Sequence, residues 1–152
     1  MKQEYIDLLR KDIAARLPYE PIVTNERFDG GFGHRLHLGD LATSKYLDSI
    51  HIEDTKVYLR SMSSMTEEEK REYNLFFFGA EPLSCDFSAY AVEHRTLYEF
   101  DAVNLIDWLN AHHFDYRGLI EKGLAIEVTE ENNPYVHRTY ADMMKTKEKQ
   151  QL

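Results

Sequence analysis

The densest collection of reactive side chains lies at residues 112–120, "HHFDYRGLI", where His112, His113, Asp115, Tyr116 and Arg117 fall within six positions. An aspartate can hold an imidazole in one tautomer, the imidazole can act as a general base, and an arginine can hold an anionic group. On that reading Asp115 orients His113, His113 takes a proton and Arg117 binds the substrate, as in a small hydrolase. The same letters also suit a corner between two helices. His112 and His113 at a helix C-terminus gain ~0.3–1 kcal/mol from the dipole. Asp115 can cap the next helix for ~1 kcal/mol. Phe114 then becomes a buried hinge, and Gly118 lets another backbone approach. Every residue has a structural use, so the corner is the preferred reading and catalysis the alternative.

Other constellations carry less. His34, His37 and Asp40 stand in "GHRLHLGD". Residues three apart on a strand point to opposite faces, so no metal site is expected there. Cys85 could pair with His94 or His113, but the adjacent Asp86 would raise its thiol pKa rather than activate it. A single cysteine also excludes an intramolecular disulfide and a cysteine-based metal site. No G-x-S-x-G, P-loop or dinucleotide fingerprint occurs; "GGFGH" lacks the Lys-Ser/Thr that a phosphate cradle requires. No cofactor and no metal are expected.

These side chains need a scaffold, and the 152 residues suffice for one domain with a real core. The net charge is −9. Phosphate backbones are poor partners for such a chain, because nucleic-acid affinity rests on Lys and Arg. In 129–152, Glu130, Glu131, Asp142 and Glu148 balance Arg138, Lys145, Lys147 and Lys149, so the excess lies before residue 129. No apolar run approaches the ~18 residues of a membrane span. The charged N-terminus lacks the apolar core of a signal peptide, which points to a cytoplasmic protein.

Ile6, Leu9, Ile13 and Leu17 mark one face of an amphipathic helix, with Lys2, Glu4, Asp7, Lys11 and Asp12 on the rest, and Pro18 stops it. "PIVTNERF", "HRLHLGDLA" and "SIHIEDTKVYL" read as short strands, with "DGGFG" (29–33) as a hairpin tip. They predict a small antiparallel sheet or partial barrel over about 21–60. Thr66 and Glu69 form the capping-box pattern that opens a helix running to Gly79. Residues 80–100 are read as helix over strand. Asp101 caps the helix "AVNLIDWLNAHH", and "YRGLIEK" makes a second short helix between Asp115 and Gly123. That second helix is too short to cross a major groove, so a helix-turn-helix is rejected. "LAIEV" (124–128) should join the sheet edge. The prediction is an α+β fold, with a globular domain over 1–128 and a linker and helical or frayed tail over 129–152.

On the helix from Thr66, Tyr73, Phe76 and Phe77 share one face, while Leu75 and Phe78 share another. One sheet covers only one face. Leu75 and Phe78 are therefore candidate binding residues for a protein partner or a second copy, with the 102–122 helices as the competing cover.

Three stretches, "ARLPYEPIVT", "VYLRSMSSMTEEEKREYN" and "IDWLNAHHFDYRGLIEKGLAIE", resemble a family of small uncharacterised proteins of the Bacteroidales and their phages. The family motifs look like "LPYG", "KPYLRPMSSMTEEE" and "HFDYRGLI", and the resemblance runs from the first helix to about residue 128. Glu20 stands where the family usually has glycine, and Val57 and Ser61 replace prolines. The resemblance implies a phage or mobile-element origin and no catalytic residues. Together with the negative charge it suggests a non-enzymatic binding protein acting on a host protein, by inhibition or immune evasion. The alternatives are the small hydrolase of His113, Asp115 and Arg117, and a virion assembly or structural protein.

Overall fold

A computed structural model describes residues 1–39, 41–48, 51–78 and 99–136. Helix α1 (Gln3–Arg16) runs into a 3-10 turn (Leu17–Tyr19) containing Pro18. Strand β1 (Ile22–Thr24), the one-turn helix α2 (Glu26–Asp29), β2 (His34–Arg35) and α3 (Leu41–Leu47) follow. A 3-10 turn at Ile52–Asp54 leads into β3 (Lys56–Leu59). Next come α4 (Glu67–Phe78), α5 (Glu99–Ala111), β4 (Ala125–Glu127) and a 3-10 turn at Pro134–Val136.

The fold is α+β, built on a four-stranded sheet of order β2-β1-β3-β4. β1 pairs antiparallel with β2 (Ile22↔Arg35, Val23↔His34) and with β3 (Val23↔Val57, Thr24↔Lys56). This part lies within the stretch read as an antiparallel sheet. β4 joins the β3 edge in parallel (Val57↔Ala125, Tyr58↔Ile126), which makes the whole sheet mixed.

All three strand readings shorten: "HRLHLGDLA" keeps only His34–Arg35 as strand, and its Leu41 and Ala42 open α3, while the other two shorten for a shared reason. β1 ends at Thr24 because Asn25 turns inward. Its Oδ1 accepts from Arg27 N (3.0 Å), which caps α2. Its Nδ2 donates to His51 O (3.0 Å) and Thr55 Oγ1 (3.1 Å). Asn25 and Thr55 are buried. They bind the 51–55 turn, so Ile52, read as a strand residue before the polar break at Glu53–Asp54–Thr55, is instead the buried first residue of a 3-10 turn (Ile52–Asp54). A buried amide needs its partners, and here they outweigh the weak local preference for extension.

The core lies between α1 and one sheet face. Ile6, Leu9 and Ile13 meet Val23, Val57, Leu59 and Ala125, with Leu119 and Leu124 closing the end. Each such side chain is worth ~1.5–3 kcal/mol when fully buried. A second cluster joins Met65, Leu109 and Phe114 with Tyr73 and Trp108, tying α4 to α5. The capping box forms as read: Glu69 N donates to Thr66 Oγ1 (3.1 Å) and Thr66 N to Glu69 Oε2 (2.9 Å). Glu69 also accepts both terminal nitrogens of Arg60 at 2.8 Å. That bidentate bond holds its carboxyl down to about 2.

Candidate functional site

The site begins where α5 ends. His113 adopts a left-handed backbone (φ 61°). Its N–H donates to Asn110 O (3.1 Å), and Phe114 N donates to Leu109 O (3.0 Å). This is the Schellman stop, and its usual apolar contact is supplied by Phe114 and Leu109 in one buried cluster. Glycine normally fills such a position; a residue with a Cβ costs ~1–2 kcal/mol there. The corner is then clamped beside the end of β3, where Arg60 N donates to His113 O and Asp115 N to Arg60 O, both at 2.8 Å.

The second helix expected here does not form. Residues 115–123 are turns, with Gly118 at φ 71°. Both Asp115 oxygens are engaged, Oδ1 by Leu119 N (2.8 Å) and Oδ2 by Ile120 N (2.9 Å). Gly123 (φ 72°) ends the turn with a second Schellman pair, Gly123 N to Ile120 O and Leu124 N to Leu119 O. Leu119 and Leu124 bury together in the main core. The boundaries Asp115 and Gly123 are those read from the sequence. Too few residues lie between them, with a left-handed glycine among them, for a helix to propagate.

Arg117 turns into the protein. Its Nη1 donates to Asp12 Oδ1 at 3.0 Å. Asp12 and Arg16 have fully buried side chains and form an i,i+4 pair, with Arg16 Nε 2.8 Å from Asp12 Oδ2. Arg16 Nη2 also donates to Asp12 Oδ1 (3.1 Å) and to Phe114 O (2.7 Å). The guanidiniums of Arg16 and Arg117 lie 5.2 and 4.8 Å from the ring of Tyr116, whose hydroxyl donates to Asn110 Oδ1 (2.9 Å). The sequence reading placed Asp12 among the solvated residues of α1, and that is corrected here. Leu9, Asp12, Ile13 and Arg16 keep the three-four spacing of the buried stripe, which was the available signal.

His113 faces a different way. Its ring stacks on Tyr135, with centroids 3.7 Å apart and planes 11° from parallel. Its Nδ1 is buried with no hydrogen-bond partner among the described residues. Burial first, then the positive charge of Arg16, Arg35, His112 and Arg60, pushes its pKa down to about 3. His112 donates Nδ1–H to Trp108 O (2.8 Å) and packs on that indole at 4.2 Å. Outside the stack opens a cleft of ≈ 570 Å³, lined by Arg60, His112, His113, Thr129, Asn133 and Tyr135 among others.

The three residues of the hydrolase reading thus diverge. His113 fronts the cleft, Asp115 bonds two backbone N–H groups, and Arg117 holds a buried carboxylate. An imidazole kept so far below its ordinary range is a weak base at neutral pH. Tyr135, which the sequence gave no reason to single out, completes the cleft floor. Residues 129–136, the start of the stretch read as a tail, return to the sheet through it: Ile22 N donates to Tyr135 Oη (3.1 Å), which donates to Tyr58 O (2.7 Å).

His34 stacks on Tyr46 at 5.4 Å, while His37 Nδ1 lies 3.0 Å from Glu20 Oε1, so the two do not share a site. No group of three or more His, Cys, Asp or Glu among the described residues could hold a metal ion. Asp40, Cys85 and His94 lie outside the described residues, as do residues 80–98 of the stretch 80–100 read as helix; Glu99 and Phe100 already belong to α5, so Asp101 lies inside that helix and does not cap it. Leu75 is 45% exposed on α4; the Phe78 side chain is outside the description. No helix among the described residues is long and apolar enough to cross a membrane. No family model, curated protein or solved structure matches the chain.

Proposed function

We propose that this protein acts by binding another protein, as a phage- or mobile-element-derived factor directed at a host component, and that α4 and α5 carry the contact. The observation that carries this reading is the apolar character of that surface. Val103 (65% exposed) and Ile106 (39%) on α5, and Leu75 on α4, present large aliphatic side chains to water. Val103 and Ile106 stand three apart and so share one face of α5, and exposed aliphatics gathered on one face are what a docking surface retains. Charge supports the choice of partner: the chain carries a net charge of −9, so a basic face is the complement. The polar groups that could have done chemistry instead hold the corner together, which also favours binding over catalysis.

The test is a capture experiment from Bacteroidales lysate with the wild-type chain and a Val103→Glu/Ile106→Glu variant. The expected result is one protein retained by the wild type and lost by the variant, with unchanged circular dichroism. A partner retained equally by both would remove α5 from the surface. Turnover of ester, amide or phosphoester substrates that is lost in His113→Asn would replace the reading with the hydrolase.

A further inference from the structure

The antiparallel ladder between β1 and β3 runs through Thr24↔Lys56 and Val23↔Val57. Its next rung would bring Ile22 opposite Tyr58. Instead the Tyr135 hydroxyl stands in that rung, accepting from Ile22 N and donating to Tyr58 O. A side chain 113 residues beyond Ile22 therefore completes the sheet seam. Its ring covers one face of His113.

We propose that His113 and Tyr135 form an acid-released latch: the Pro134–Val136 turn stays docked while the imidazole is neutral and leaves when the imidazole takes a proton, opening the β1–β3 seam and one wall of the cleft.

The charged groups around the stack set the direction. Arg16 from α1, Arg35 from β2, Arg60 beyond β3 and His112 all oppose a proton on His113. Each arginine already has an acid: Asp12 holds Arg16, Glu20 lies 3.6 Å from Arg35, and Glu69 grips Arg60. Asp12 is shared with Arg117. Glu130 lines the cleft from the segment that leads into the strap. None of these carboxylates bonds the imidazole in the docked state, so a proton there gains no partner. Removing the Tyr135 ring gives the imidazole water instead. The strap is the part that can yield, because it is a three-residue turn with Val136 67% exposed, whereas His113 is pinned through its backbone. Local opening of such a segment precedes global unfolding. Linkage then weakens docking by up to tenfold for each pH unit below the ordinary imidazole range. Asn133 adjoins the strap and accepts from Tyr135 N (3.0 Å), so any ligand needing Asn133 is released by the same event.

A ¹H–¹⁵N NMR titration of the full chain from about pH 7.5 to about pH 4, spanning that range, tests this. The amides of Ile22, Tyr135 and Val136 should shift together in one transition while those of Leu9, Ile13 and Leu59 stay in place. His113→Asn, which tolerates the left-handed backbone, should abolish that transition. Tyr135→Phe keeps the ring and loses both hydroxyl bonds, so its midpoint should move toward neutral pH. The latch is overturned if strap and core amides collapse together, or if the transition survives unchanged in His113→Asn. Should that variant not fold, an unmoved midpoint in Tyr135→Phe overturns it.

Discussion

Arg117 Nη1 lies 3.0 Å from Oδ1 of Asp12, a fully buried carboxylate 105 residues earlier in the chain. With Arg16 on the other side, one carboxylate serves two guanidiniums beneath the corner at the end of α5. The corner therefore rests on α1 through charge as well as through Leu9 and Ile13.

Removing the carboxylate should be far costlier than removing its outer partner. Asp12→Ala leaves Arg16 buried without its counter-charge and should cost ~3–5 kcal/mol. Arg117→Ala leaves the Asp12–Arg16 pair intact, and the Arg117 side chain is 19% exposed, so ~1–2 kcal/mol is expected for a charge-assisted hydrogen bond. Urea unfolding of the two variants measures the difference; equal losses would show that the pair does not act as the central element.

Asp115 should not tolerate replacement by asparagine. A simple cap would accept Asn with little loss. Here each oxygen accepts a different backbone N–H, and an amide NH₂ cannot accept the second. Asp115→Asn should cost ~1–2 kcal/mol and Asp115→Ala more, because buried donors left unmade are expensive. Thermal melts that show a neutral Asn variant would return Asp115 to the role of an ordinary cap.

Acid should destabilise the fold through His113 before it does so through Glu69. While the strap is docked the imidazole stays neutral to about pH 3, whereas in the unfolded chain it takes a proton below its ordinary value of 6.5. Between those values the unfolded chain binds one more proton, so stability rises with pH, by at most ~1.4 kcal/mol per unit. Glu69, held at about 2 against an ordinary 4.5 by its Arg60 bond, adds a loss as pH falls through that lower window. His113→Asn should flatten the first limb in melts taken at a series of pH values and leave the second. An unchanged first limb would assign it elsewhere.

Glu20 occupies a left-handed position (φ 53°) after the Pro18 turn. Its carboxylate pairs with Arg35 and His37 at half-exposed sites, where ion pairs contribute little. Glu20→Gly should therefore be more stable than Glu20→Ala by ~1 kcal/mol, since only glycine enters this region without a Cβ clash. Differential scanning calorimetry decides it. An alanine variant equal to the glycine variant would mean the turn relaxes out of the left-handed region.

What depends on neighbours along the chain is legible in the order of the residues. The amphipathic α1, the Thr66–Glu69 capping box, the edge strand at 124–128 and the stops at Asp115 and Gly123 all follow from spacing and local bonding. The α+β class follows from their order. Whatever depends on residues far apart is legible only once the chain is folded. Asp12 reads as a solvated helix position until Arg16 and Arg117 surround it. Tyr135 reads as one more tyrosine in a polar stretch until its hydroxyl enters the β1–β3 seam. His113, Asp115 and Arg117 read as a possible set because they are adjacent, yet a left-handed turn at His113 sends them in three directions. Side-chain direction at a corner is set by backbone dihedrals and by partners up to 113 residues away, and neither is written in the local run of letters.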